Sequence, residues 1–270
     1  MVYNKIRKII FYFNYKLLRK LRIFLNKDQI IYINNQKIFL PPGHLLSLYD
    51  QLYPKYDHFI SKIVEKMEIN KSVIDIGANV GDTLARFLKN NSELKYYSIE
   101  ADDYFFKYLK KNKEENFTKF KDRVYIIKEL VGHELVGNLT STDTGTKSLI
   151  INKNGLKSKA LDEIISENNI ENIGLIKVDV DGYDHNVLLS GIKNIEKYKP
   201  YLFFEFMSEN YDGYKLLLDK LNTLGYEEWT ILNNYGDIIM EKKNFEEAKK
   251  IIEISNKNKK YVDIFCKIKK

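Results

Sequence analysis

A buried strand that ends on an acid, turns through two glycines and opens a helix leaves a chain few folds to choose from. Residues 73–88 have this form. Val73-Ile-Asp-Ile-Gly-Ala-Asn-Val-Gly-Asp82 passes into Thr83-Leu-Ala-Arg-Phe-Leu88, which reads as helix. A Gly-rich turn between strand and helix is the usual first ligand contact of an open α/β sheet.

From Ser72 onward the same alternation repeats. Apolar, β-branched runs at 72–76, 95–99, 123–128, 174–179, 200–206, 226–231 and 261–266 read as strands. The segments 82–90, 103–115, 160–167, 184–197, 211–224 and 244–254 read as helices. This order predicts βαβ units and a mostly parallel sheet. Residues 132–158 break the rhythm with four glycines and many Ser/Thr, and are expected to form a long loop or hairpin insertion. Upstream, 30–33 and 37–40 flank Asn34-Asn35, a hairpin signal. Pro41-Pro42-Gly43 then breaks the chain, and 44–52 and 57–68 read as helices. The expected organisation is a helix over 1–27, a hairpin with helices over 28–69, and the α/β unit over 70–270.

The net charge of +7 is unevenly placed. Residues 1–27 carry eight Lys/Arg and no Asp/Glu, whereas the remainder carries 36 basic and 37 acidic side chains. Within the arm, Tyr3, Ile6, Ile10, Phe13, Leu17, Leu21 and Phe24 recur at helical spacing. A basic amphipathic helix suits an anionic membrane surface, and packing of the stripe on the domain or a second subunit is the competing expectation. The near-neutral body suggests no nucleic-acid groove. No N-terminal apolar run is long enough for a signal-peptide core or a membrane span. The lone Cys266 permits neither an intrachain disulfide nor a Cys-based zinc site. These features place the chain in the cytoplasm, with the inner membrane surface as the site of any lipid contact.

A dinucleotide needs close backbone approach to its pyrophosphate, hence Gly-x-Gly-x-x-Gly. The turn here has only Gly77 and Gly81, flanked by Asp75 and Asp82. Those acids would repel a pyrophosphate. They suit S-adenosylmethionine (SAM), which bears an ammonium and a sulfonium and no phosphate. Glu100 ends the next strand 19 residues after Gly81, where doubly wound folds grip a ribose diol. An NAD-dependent oxidoreductase and a non-catalytic binding module anchored by its arm remain alternatives.

The second dense stretch is Ile173-Gly-Leu-Ile-Lys-Val-Asp-Val-Asp-Gly-Tyr-Asp-His185. It is no EF-hand, because the Gly at loop position 6 and the Glu at position 12 are missing. Asp184 reads as a helix N-cap. Asp179 falls at a strand's carboxyl end, where such sheets place ligands. The general-base candidates for a reacting hydroxyl are Asp179, Asp181, His185 and Glu205, with Asp179 preferred. For Glu205, pairing with Lys177 is the structural alternative. Two carboxylates two residues apart are too little to assign Mg²⁺, and no metal is expected.

Val73–Gly81, Glu100, Leu161-Asp-Glu-Ile164, Leu175-Ile-Lys-Val-Asp-Val-Asp-Gly182, Val187-Leu-Leu-Ser-Gly191 and Lys199-Pro-Tyr-Leu-Phe-Phe-Glu205 together resemble the FkbM family of SAM-dependent methyltransferases. The resemblance covers residues 70–206. It implies a Rossmann-like class I methyltransferase fold, with a seven-stranded sheet, helices on both faces and 261–266 as a final antiparallel strand. It implies O-methylation, commonly of a sugar or polyketide hydroxyl. Asp75, Gly77, Asn79 and Gly81 would line the methionine part of SAM, Glu100 would take the ribose, and the segment around Leu130 would meet the adenine. The family usually has Glu where Asp181 stands, so the carboxylate here is one methylene shorter.

Overall fold

The computed structural model describes residues 16–90, 93–141 and 147–269. The described residues open with α1 over residues 16–24, and the earlier part of the helix expected over 1–27 lies outside them. The hairpin β1 (Gln29–Ile33) and β2 (Gln36–Leu40) follows. Its turn is made by Asn34 and Asn35, both with positive φ (52° and 66°), as a two-residue hairpin loop that follows the strand twist requires. Then come α2 (Leu46–Leu52) and α3 (His58–Glu65).

The α/β unit runs β3 (Ser72–Ile76), α4 (Asp82–Asn90), β4 (Lys95–Ile99), α5 (Asp103–Asn116) and β5 (Val124–Ile127). Residues 132–158, expected as a loop or hairpin, form a separate three-stranded antiparallel sheet of β6 (Val136–Ser141), β7 (Lys147–Ile151) and β8 (Leu156–Lys157). Next are α6 (Leu161–Glu167) and β9 (Ile173–Val178). The single helix expected over 184–197 is two, α7 (Asp184–Ser190) and α8 (Ile192–Tyr198). They divide at Gly191, where an added Cβ would lie 2.6 Å from the Leu161 side chain of α6. The chain closes with β10 (Tyr201–Phe206), α9 (Tyr211–Thr223), β11 (Tyr226–Asn233), β12 (Ile238–Lys243), α10 (Phe245–Lys257) and β13 (Val262–Ile268).

The main sheet has the order β12-β11-β13-β10-β9-β3-β4-β5. It therefore has eight strands, not seven. The seven expected strands are all present, and β12 adds an antiparallel edge through a tight turn from β11. β13 runs antiparallel between β10 and β11. One face of the sheet is covered by the helices after β5, with Ile164, Leu188, Leu217 and Ile252 in its core. The other face is shared by α3, α4, α5 and the N-terminal hairpin, with Ile38, Leu40, Ile60 and Leu84 packed together.

Asn112 of α5, fully buried, fastens the hairpin to the body. Its Nδ2 donates to the carbonyls of Phe39 (3.0 Å) and Val80 (2.9 Å), and its Oδ1 accepts from the Phe39 N–H (2.8 Å). Residues 36–40 are thereby tied directly to the glycine turn. Polar groups buried this deeply persist because each is satisfied.

Candidate active site

The carboxyl ends of β3, β4, β9 and β10 converge on a cavity of about 1060 Å³. Its walls also include α2, the 53–57 loop, the three-stranded insertion and the β11–β12 turn. Open α/β sheets place ligands at this edge.

Gly77 follows β3 with φ +79°, and a Cβ there would lie 1.9 Å from the Asp179 carbonyl oxygen. Glycine is required because the turn after β3 crosses the end of β9 at backbone contact. Asn79 also sits in the left-handed region, at φ +50°. Two contacts hold it. Its N–H donates to Glu100 Oε2 (2.8 Å), and its Oδ1 meets His44 Nε2 (3.2 Å). The Leu46 N–H donates to His44 Nδ1 (3.2 Å), so the ring proton is on Nε2 and points at Asn79. Burial lowers the His44 pKa to about 4, so the ring is neutral at physiological pH.

Glu100 lines the cavity just beyond β4. Its Oε1 accepts from the Asp102 N–H (2.8 Å), and its Oε2 is the acceptor for Asn79. Each oxygen keeps a further lone pair for a ligand hydroxyl. Burial, against these backbone hydrogen bonds, raises its pKa to about 7. Leu130 lines the wall after β5, next to Glu129 and Val131. Leu135, Leu139 and Leu149 of the insertion continue that wall, and Lys147 pairs with Asp102 at 3.5 Å.

Lys177 is the pivot at the β9 end. Its strand register sets it opposite Asp75 on one side and Phe203 on the other. The ammonium lies 3.2 Å from Asp75 Oδ1 and 3.3 Å from Asp179 Oδ2. Lys177 and Asp75 are both buried, whereas the Asp179 side chain is 46% exposed and faces the cavity. Asp75 thus serves as the buried counter-ion and is absent from the cavity lining. The expected pairing of Glu205 with Lys177 is not formed, since Lys177 binds Asp75 and Asp179. Glu205 Oε1 instead accepts from Asn234 Nδ2 (3.2 Å) in the β11–β12 turn.

Asp181 lines the same cavity, with φ +48°. Glu205 is paired in register with Asp263 of β13, two acids opposite one another. Burial, reinforced by Asp179 and other nearby acids, raises the pKa of both. Glu205 is therefore protonated at neutral pH and can donate a hydrogen bond. Asp57 and Asp82 complete the acidic wall, with Arg86 3.9 Å from Asp57. Burial lifts Asp82 to about 7.

Besides Asp75, three residues fall elsewhere than expected: Gly81 is absent from the cavity lining and faces Leu109 of α5, 2.8 Å from where its Cβ would be, and His185 and Asp184 also differ. His185 is not in the cavity lining. It packs against Gly213 and the Tyr214 ring (centroids 4.8 Å apart), and burial lowers its pKa. As the first residue past Asp184 on α7, it is turned toward α9. Asp184 is not an N-cap, since Tyr183 holds that position without a side-chain cap bond. Asp184 is fully buried, and its two oxygens accept from the N–H groups of Val180 (3.2 Å) and Glu205 (2.9 Å). It braces the β9 turn against β10, and burial raises its pKa to about 7.

A wall of tyrosines faces the acids: Tyr49, Tyr53, Tyr56, Tyr235 and Tyr261. Tyr53 stacks on Tyr235 with centroids 4.3 Å apart, joining the 53–57 loop to the β11–β12 turn. Sequence reasoning missed these residues, as it missed His44, Asp57 and Asp263. The one visible signal was Lys177, a charge inside an otherwise apolar strand. Among the described residues no group of three or more His, Cys, Asp or Glu could hold a metal ion.

A family model described as the methyltransferase FkbM domain matches residues 75–238. No curated protein matches the chain. Among solved structures, human methyltransferase 10 domain containing protein aligns at 13% identity with a TM-score of 0.50, covering 95% of this chain and 97% of that one. The methyltransferase FkbM of Methylobacillus flagellatus KT aligns at 16% identity and a TM-score of 0.46, covering 72% of this chain but only 43% of that one. The O-methyltransferase of Bacillus cereus, solved in complex with SAH, aligns at 12% identity and a TM-score of 0.45, covering 80% of each chain.

Proposed function

The chain belongs to the FkbM family of SAM-dependent methyltransferases, and from that premise we propose that its acceptor is a hydroxyl, that of a sugar in a glycan or polysaccharide pathway. The observation that carries this reading is the composition of the cavity. At one end is the buried carboxylate of Glu100, each oxygen held by one backbone N–H, and at the other is a wall of acids faced by tyrosines. The many carboxyls of the lining suit a cofactor that carries positive charge. Carboxyls and aromatic faces together suit a polyhydroxylated ring, which offers many donors and an apolar C–H face.

In this reading Glu100 accepts the ribose hydroxyls, Asn79 and the Gly77–Gly81 turn bound the methionine portion, and Leu130 meets the base. When bound, SAM supplies a methyl group already activated by a sulfonium. The protein's remaining tasks are alignment of the two reactants and removal of the acceptor's proton. Asp179, fixed by Lys177 and open to the cavity, takes that proton. Glu205, carrying its own proton, donates a hydrogen bond to the acceptor, and Asp181 accepts from a neighbouring hydroxyl. Residues 1–27 make peripheral contact with an anionic membrane.

Calorimetry with SAM, its demethylated product and NADH tests the cofactor half. Binding of the first two and not of NADH is expected, and tight NADH binding without SAM binding would refute it. For the acceptor half, Asp179→Asn is expected to reduce turnover on a sugar acceptor at least about 100-fold while SAM affinity stays within about 3-fold. Undiminished turnover would remove Asp179 as the base.

A further inference from the structure

Helix α1 is turned inside out for a helix on a protein surface. In residues 16–25 the two half-buried side chains are Arg19 and Arg22. Arg19 Nε donates to the Gly43 carbonyl (2.9 Å), and Arg22 hydrogen-bonds Gln29. Ile23 lies against Gly43, but the other apolar side chains point away: Leu17 is 71% exposed, Leu21 50%, Phe24 85% and Leu25 57%. A helix ordinarily buries its apolar stripe and leaves its charges in water. Ile30 and Tyr32 of the adjoining strand β1 are also exposed, which adds to the apolar surface.

We propose that this face of α1 and β1 seats on an anionic lipid surface and holds the mouth of the cavity against it, so that the acceptor is drawn from the lipid–water interface. The proposal rests on the methyltransferase reading above and adds its partner. Charge selects the occupant. Lys16 and Lys20 are exposed on the same helix, Lys27 is exposed just beyond it, and residues 1–27 carry eight bases and no acid. A second copy would bring the same charge and be repelled, whereas an anionic membrane attracts each Lys or Arg. The cavity follows because Lys16 and Arg19 themselves line it. A lipid-bound α1 therefore places the opening at the headgroups. No helix among the described residues is long and apolar enough to cross a membrane, so the contact is peripheral.

Co-sedimentation with vesicles of phosphatidylcholine, with and without phosphatidylglycerol, tests the docking. Binding only to the anionic vesicles is expected, reduced at least about 10-fold by high salt or by the triple variant Leu17→Ser/Leu21→Ser/Phe24→Ser. These side chains are exposed, so SAM affinity by calorimetry stays unchanged in that variant and separates failure of docking from failure of the cofactor reading. A fluorophore on Lys16→Cys, at the cavity rim, is expected to be quenched by brominated lipid, while one on Lys95→Cys, at the opposite end of the sheet, is not. Absence of binding to anionic vesicles, or a solution dimer that the triple variant disperses, would overturn the proposal. Equal quenching at both positions would overturn the placement of the cavity.

Discussion

At the turn end of the cavity, Gly77, Asn79 and Glu100 come from two adjoining strands and the loops that leave them. At the acid–tyrosine end, Asp57, Asp179, Glu205, Asn234 and Asp263 come from five segments that meet only in the folded chain. The first end is local in sequence and carries its own hydrogen-bonding plan: backbone N–H groups hold Glu100, and a left-handed turn is closed by His44. The second is a gathering of like charges opposed chiefly by the buried Lys177 and the half-buried Arg86. The turn end is self-sufficient once the strands pair. The acid end depends on a few ion pairs, and substitutions there should cost the most.

The largest effect is expected for Lys177→Met. It leaves Asp75 buried with no ion-pair partner, and breaking such a pair costs about 3–5 kcal/mol. Urea denaturation measures it, and adding Asp75→Asn should restore part of the loss. A cost below about 1 kcal/mol would show that the acid end does not rely on its cation.

Glu100→Ala probes the turn end through ligand binding. SAM affinity is expected to fall about 10–100-fold, corresponding to roughly 1.4–3 kcal/mol of charge-assisted bonding. An unchanged affinity by calorimetry would remove Glu100 as the ribose ligand.

pH titration addresses both ends. Glu100, Asp82 and Asp184 each have a pKa raised by burial to about 7, from ordinary values of 4.5 for Glu and 3.8 for Asp. An acid whose folded pKa exceeds its unfolded value favours the folded state below the unfolded value, and that contribution is lost as pH rises through the folded one. The ligand-free protein should therefore lose stability between about pH 4 and pH 7 from these groups. His44, lowered to about 4 from 6.5, acts in the opposite sense over the same interval. His185 is lowered too, but with these three acids and Glu205, raised to about 10, against two histidines, a net fall is expected in denaturation midpoints at constant ionic strength. Saturating SAM should reduce it, because positive charge in the cavity favours the ionised acids. A rising profile would contradict this assignment.

The smallest stability change is expected for Tyr235→Ala. The stack on Tyr53 accounts for about 0.5–1.5 kcal/mol beyond area burial. Its effect should appear mainly in the acceptor's KM, with kcat and SAM affinity little changed. An equal loss in all three would mean that the β11–β12 turn supports the turn end as well.

Much of this was legible in the sequence. Periodicity located all seven strands of the common sheet, because buried parallel strands write themselves as apolar runs. β12, Ile-Ile-Met-Glu-Lys-Lys, went unseen because it is an exposed edge whose apolar residues are bunched at one end, without the alternation that marks a strand. The break at Gly191 was hidden because helical spacing continues through it, and only the packing of Leu161 makes the glycine necessary. His185 looked suited to acid–base chemistry by residue type alone. One position along a helix is a rotation of about 100°, and that rotation turned it onto α9.

The sequence alone determined the sheet, the glycine turn and the family, since each is written in short motifs or in a repeated period. Tertiary structure decided which charges share the cavity. Whether Lys177 serves Asp75, Asp179 or Glu205 depends on strand register. Whether the apolar stripe of α1 faces the body or the solvent depends on which side of the helix Arg19 and Arg22 anchor. Both are questions of long-range geometry, because a side chain's partners are set by what lies across the sheet or beneath the helix rather than by what precedes it in the chain.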